Sequence, residues 1–137
     1  MPSLELRGSG PILMVDDSED DRYIAARCYR KSRLEREFVT LESGESLLGY
    51  LEEVLAGSAP MPAIVLLDVN MPALDGFQVL QRMRARSEFA EVPVVVMLTH
   101  SDDPEDAAWS LEQGANAYRT KPSDLAEFVS FFDSLLE

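Results

Sequence analysis

Five residues of this 137-residue chain carry groups that could act together: Asp16, Asp17, Asp68, Thr99 and Lys121. Asp68 closes the apolar run AIVLL and is followed at once by VNMPALDG, a stretch built for a turn. A carboxylate at the end of a buried segment loses hydration, so it needs a cation, a hydrogen-bond network or a chemical task to hold it there. Asp16 and Asp17 end a second apolar run, ILMV. Converging carboxylates repel and raise one another's pKa unless a divalent cation lies between them. Mg²⁺ suits that demand, because it takes oxygen ligands, keeps several waters and is typically held by one or two carboxylates plus a phosphoryl oxygen. A hydroxyl at Thr99 and an ammonium at Lys121 are what the other oxygens of a phosphoryl group require. The chemistry read from the set is nucleophilic: Asp68 accepts a phosphoryl group and becomes an aspartyl phosphate. Asn70 is expected to lend its backbone carbonyl to the metal, while Pro72 and Gly76 shape the loop after Asp68.

These groups converge only if the chain supplies a frame. PILMV, EFVTLES, AIVLLD, PVVVML and AYRT read as strands. Helices are expected between and after them, over SEDDRYIAARCYRKSRL, GESLLGYLEEVLAG, GFQVLQRMRARSEFAEV, PEDAAWSLEQG and SDLAEFVSFFDSLLE. Ser18 is the expected N-cap of the first helix, with acidic residues in its first turn and Arg30, Lys31 and Arg33 near its last. Apolar strands without alternation are buried on both faces, and strand–helix alternation requires right-handed crossovers. The expected fold is therefore α/β: a doubly wound, five-stranded parallel sheet with helices on both faces. Ligands in such sheets gather beyond the carboxyl ends of the strands, where Asp16, Asp17, Asp68, Thr99 and Lys121 all fall. Residues 1–10 are expected to be a loose tail and 11–137 the single domain.

With 25 acidic against 12 basic residues the net charge is -13, which repels nucleic acid and anionic lipid and points to a protein or cation partner. The apolar runs are too short to cross a bilayer. Cys28, the single cysteine, shares a helical face with Ile24 and Ala25 and is expected in the core; a reducing, cytoplasmic setting follows.

ILMVDDSEDD, IVLLDVNMPALDG, VVVMLTHSDDPED and GANAYRTKP, in this order and spacing, resemble the receiver domain of two-component response regulators. The resemblance runs from Ile12 onward and is strongest to the short single-domain regulators associated with bacterial phytochromes and similar histidine kinases. It implies a flavodoxin-like receiver fold, Asp68 as phosphoacceptor, Asp17 as direct metal ligand and Asp16 as a water-mediated one. It also implies Thr99 as the switch hydroxyl, Lys121 as the phosphate-binding lysine, and Tyr118 as the aromatic that moves with Thr99. Pro122 would follow a cis peptide bond that aims Lys121 inward. The implied donor is a sensor histidine kinase. Receivers commonly pair through the face made by the fourth helix, fifth strand and fifth helix. Trp109, Leu111, Phe131 and Phe132 enrich that region, so a homodimer is expected there.

Two departures stand out. His100 is bulkier than the small residue most receivers carry and could act as a gatekeeper over Asp68. Counting from Pro93 would put Leu98 in the hydroxyl's place, but counting back from Gly114 and Lys121 selects Thr99, which alone can donate. Rival readings are a degenerate receiver that binds partners without phosphate, and an aspartyl-phosphate phosphatase, which would carry a second acid where Asn70 stands. A calcium loop beginning at Asp16 fails, because its sixth residue is Asp21 rather than glycine and its twelfth is Arg27 rather than glutamate. The chain ends at Glu137 just after the last helix, so the expected output is protein contact or onward phosphotransfer, with no catalysis beyond its own phosphorylation and slow dephosphorylation.

Overall fold

The computed structural model describes residue 6 and residues 8–98, 104–122 and 124–135; Thr99 and His100 lie outside the described residues. In chain order come β1 (Ile12–Val15), α1 (Glu19–Lys31), β2 (Phe38–Leu41), α2 (Gly44–Leu55), β3 (Ile64–Asp68), α3 (Gly76–Arg84), β4 (Val94–Leu98), α4 (Pro104–Glu112), β5 (Ala117–Thr120) and α5 (Leu125–Ser134). All five strands are parallel, in the order β2-β1-β3-β4-β5. The chain winds outward from β1 in one direction and from β3 in the other, which opens a crevice at the carboxyl ends of β1 and β3.

Successive strand residues point to opposite faces, and the apolar runs supply both. Leu13, Val15, Val65 and Leu67 pack with Leu47 and Leu51 of α2 and with Val79, Leu80 and Met83 of α3. Ile12, Met14, Ile64, Leu66 and Val95 pack with Ala25, Cys28 and Tyr29 of α1 and with Phe128 and Phe132 of α5. Cys28 is thus core, as expected, and its Sγ lies 3.7 Å from the Leu125 carbonyl. No helix among the described residues is long and apolar enough to cross a membrane.

The element ends differ from expectation in three places. Ser18 caps α1, its side chain accepting from the Asp21 N–H, but the helix stops at Lys31, so Arg33 lies beyond it and donates its N–H to Asp133 Oδ1 instead. The helix expected to run through residue 92 ends at Arg84 and gives way to a 3₁₀ turn at Ser87–Phe89. The chain folds back there because Phe89, 2% exposed, enters the α2–α3 side of the core. Residues 8–10 are not loose: Arg36 Nη1 donates to the carbonyls of Gly8 and Gly10, and Gly10 lies so close to the Met61 carbonyl that a Cβ would overlap it.

Candidate functional site: a carboxylate cluster at the strand ends

Asp16 directly follows β1, Asp68 ends β3 and Lys121 directly follows β5, so three separate strands deliver their side chains to one crevice. Asp16 is 1% and Asp68 4% exposed, while Asp17 faces solvent. One carboxylate oxygen from each of Asp16, Asp17 and Asp68 lies within 4.8 Å of the others. The β1–α1 turn holds Asp16 from two sides: the Ser18 N–H donates to its Oδ1 at 2.9 Å, and Arg22 Nη1 donates to its backbone carbonyl at 2.7 Å. Lys121 Nζ stands 2.6 Å from Asp16 Oδ2 and 3.8 Å from Asp68 Oδ2. Asp68 Oδ1 accepts the Asn70 N–H at 3.3 Å.

This crowding sets the charge state of the site. Burial, followed by the neighbouring Asp16 carboxylate, pushes the Asp68 carboxyl up to about 6, against the pull of Lys121 and the Asn70 N–H. Burial alone would lower the Lys121 ammonium, but the adjacent carboxylates of Asp16 and Asp21 outweigh it and hold Lys121 above the usual lysine range. Lys121 is therefore a fixed cation amid an excess of carboxylate. Two buried acids and one exposed acid, all oxygen donors with one side open to water, fit a hard divalent cation. The buried Asp16 Oδ2 meets Lys121 as an ion pair without an aligned hydrogen bond, leaving this oxygen able to turn toward such an ion.

The loop after β3 is drawn tight by two N–H groups, those of Met71 and Gly76, which both donate to the Val69 carbonyl at 3.1 Å. Ala73 takes φ 66, a left-handed conformation uncommon for a residue with a Cβ. Asp75 and Gln78 close a reciprocal capping box at the start of α3. Gly76 does not serve the loop by an unusual turn angle, contrary to expectation. It is the first residue of α3, and a Cβ there would lie 2.5 Å from the Asp68 carbonyl, so its role is to let the helix approach β3.

Asp16, Asp17, Asp68, Asn70 and Lys121 are thus brought together. Tyr118 is half-buried on β5, paired with Val96 and packed against the α2–α3 side of the core. The roles given to Thr99 and His100 fall outside the described residues. The cis peptide expected before Pro122 is a correction: no cis bond occurs among the described residues, and the Lys121–Pro122 bond is trans. The trans isomer is the intrinsically favoured one, and Lys121 reaches Asp16 from it. One site residue went unread in the sequence. Asp21 Oδ2 accepts a hydrogen bond from Lys121 Nζ at 2.6 Å. Its signal was its place in the first turn of the helix that follows Asp16 and Asp17 directly.

Comparison with known proteins places the sequence and the fold among relatives. The family model for the response regulator receiver domain matches residues 12–133. Response regulator Rcp1 of Synechocystis sp. is 32% identical over 125 residues, covering 90% of this chain and 84% of its own. A crystal structure of its Mn²⁺-bound form superposes with a TM-score of 0.77 at 28% identity, covering 92% of this chain and 91% of that one. Response regulator RPA3017, in red light signalling of R. palustris, gives a TM-score of 0.82 at 29% identity, covering 92% of this chain and 90% of that one. The phosphorylated cyanobacterial phytochrome response regulator RcpA gives 0.79 at 27%, covering 93% and 91%.

Proposed function

The chain belongs to the response regulator receiver domain family, and from that premise we propose that it is a phosphorylation-operated switch of a two-component phosphorelay. The observation that carries this reading is the setting of Asp68, a nearly buried carboxylate at a parallel-sheet edge, facing two further acids and the Lys121 ammonium. The phosphoryl donor is a sensor histidine kinase, and relatives that serve red-light and phytochrome signalling favour a phytochrome-type one.

In the transfer an Asp68 oxygen attacks the phosphorus of the donor phosphohistidine. The O–P bond forms as the N–P bond breaks, and the electron pair of that bond leaves on the imidazole nitrogen. Lys121 receives the charge gathering on a phosphoryl oxygen. Mg²⁺, held by Asp16, Asp17, Asp68 and the Asn70 carbonyl, supplies charge neutralisation when bound. Thr99 and Tyr118, in the roles the resemblance gives them, report the modification to a protein-binding face by shifting a two-state equilibrium. The chain acts on itself only, through its own phosphorylation and slow hydrolysis.

Incubation with Mg²⁺ and acetyl phosphate, followed by intact mass, tests the reading. One phosphoryl group is expected on the parent, and none on Asp68→Asn or after chelation. A parent that stays unmodified, and a His100→Ala variant that stays so too, would mean a degenerate receiver instead.

The proposal includes a homodimer through α4, β5 and α5. Trp109 and Leu111 of α4 are 40% and 49% exposed, and Leu125 of α5 is 55% exposed. Of the adjacent pair on α5, Phe132 is buried while Phe131 stays half-buried beside it at 5.6 Å between ring centroids. Gel filtration is expected to show a dimer, weakened by Leu111→Glu. A monomer at high concentration, with and without phosphorylation, would sink the dimer.

A further inference from the structure

The cation at the centre of the site has a partner that phosphoryl transfer does not call for. Lys121 Nζ is as close to Asp21 Oδ2 as to Asp16 Oδ2, 2.6 Å in each case, and stands 3.8 Å from Asp68 Oδ2. An ammonium has three donors. One is directed at Asp21, while Asp16 is met as a close ion pair, so the phosphoacceptor is the most distant of its three carboxylates. Asp21 is well placed to hold the ammonium there. It sits in the first turn of α1, and its N–H is fastened to Ser18 Oγ at 3.2 Å. Its carboxylate is superfluous to the helix dipole, because Glu19 and Asp20 already make that turn acidic. Its side chain is 39% exposed, against 14% for that of Lys121.

We propose that Asp21 is a positioning residue that holds the Lys121 ammonium on the α1 side of the site until a phosphoryl group on Asp68 draws it across. The inference rests on the function proposed above and adds to it a resting-state contact. An interaction made in the resting state and lost in the phosphorylated one biases the equilibrium toward rest by its own free energy. Asp21 also keeps the ammonium from settling on Asp68, where it would compete with a divalent cation for the same oxygens.

Two opposite shifts follow for Asp21→Asn, which preserves shape and the N–H bonded to Ser18. Mg²⁺ affinity, measured by calorimetry on the unphosphorylated protein, should fall roughly five-fold, because the released ammonium competes for Asp68. At saturating Mg²⁺, the phosphoryl analogue beryllium trifluoride should bind roughly five-fold more tightly, because no Asp21 contact is given up. Asp21→Glu should move both constants back toward the parent. A loosened α1 would weaken both ligands, and that result overturns the inference, as does a variant that matches the parent in both titrations. A parent that binds no beryllium trifluoride and takes no phosphoryl group overturns the proposed function and this inference with it. A parent that does both, beside an Asp21→Asn variant without the paired shifts, overturns this inference alone.

Discussion

Replacing Arg84 by alanine is expected to lower the unfolding free energy by about 3 kcal/mol while leaving phosphoryl uptake at Asp68 intact. Arg84 closes α3, and its half-buried guanidinium ties together segments distant in sequence. Nε donates to the Gly114 carbonyl at 2.9 Å, and Nη1 donates to the carbonyls of Phe89 at 2.7 Å and Ala90 at 3.3 Å. Nη2 donates to the Val92 carbonyl at 2.8 Å and to Asn116 Oδ1 at 3.0 Å. Asn116 Oδ1 in turn accepts the Val94 N–H at 2.9 Å, so the network reaches the first residue of β4. Removing the guanidinium leaves several carbonyls short of a donor, and a hydrogen bond involving a charged group is worth about 1.5–3 kcal/mol net of its exchange with water. Lysine should rescue little, because a single ammonium cannot span a fork of this geometry. Urea unfolding should show a lower midpoint with an unchanged slope. Intact mass after acetyl phosphate treatment should match the parent, because Val92 and Asn116 precede β4 and β5 and so mark the sheet edge opposite Asp68. A midpoint within error of the parent would show that water replaces the fork at no cost.

Arg84 also marks where a linear reading stops. The strands were legible because unbroken apolar runs of a few residues, each ending in a polar group, have few ways to be buried except in a parallel sheet covered on both sides. The site followed from that frame, since Asp16, Asp68 and Lys121 need only lie at strand ends to meet. The end of α3 was not legible. RMRARSEFAEV holds no glycine or proline before Pro93, so helical spacing continues past Arg84, and only the burial of Phe89 and the carbonyls around the guanidinium turn the chain. Those partners are 30 and 32 residues away at Gly114 and Asn116. Asp21 was obscured for a different reason: acids in a first helical turn have a sufficient local explanation in the dipole, which hid its longer-range partner, Lys121. The strained Ala73 carries no mark either, because alanine gives no hint of a positive φ.

In chelator at pH 8, Asp68→Asn is expected to be more stable than the parent by about 2–3 kcal/mol, and this advantage should vanish toward pH 4. The sign follows from the direction of the shift. Burial and the Asp16 carboxylate raise the folded-state pKa of Asp68 from the ordinary 3.8 to about 6. Below the ordinary value the group is protonated in both states and costs nothing through ionisation. Between that value and about 6, unfolding releases a proton that the folded protein retains, so stability falls as pH rises. Above about 6 the carboxylate is ionised in both states and the folded protein carries the whole electrostatic cost. Asparagine removes the charge and most of that cost, with nearly unchanged shape. The subtraction between parent and variant at each pH isolates Asp68 from the many other acids that titrate over the same range. Urea unfolding at intervals from pH 4 to 8 provides the measurement, and a pH-independent difference would show that Asp68 ionises normally in the fold. Mg²⁺ should then reverse the order. A ligand that binds only the folded state stabilises by RT ln(1 + [L]/Kd), and the parent, with three carboxylates facing the proposed ion position, should gain more than a variant with two. On the proposed function, the destabilising charge at Asp68 is the same charge that would bind the cation and attack the phosphoryl group, so stability and phosphoryl acceptance could not both be greatest in one residue.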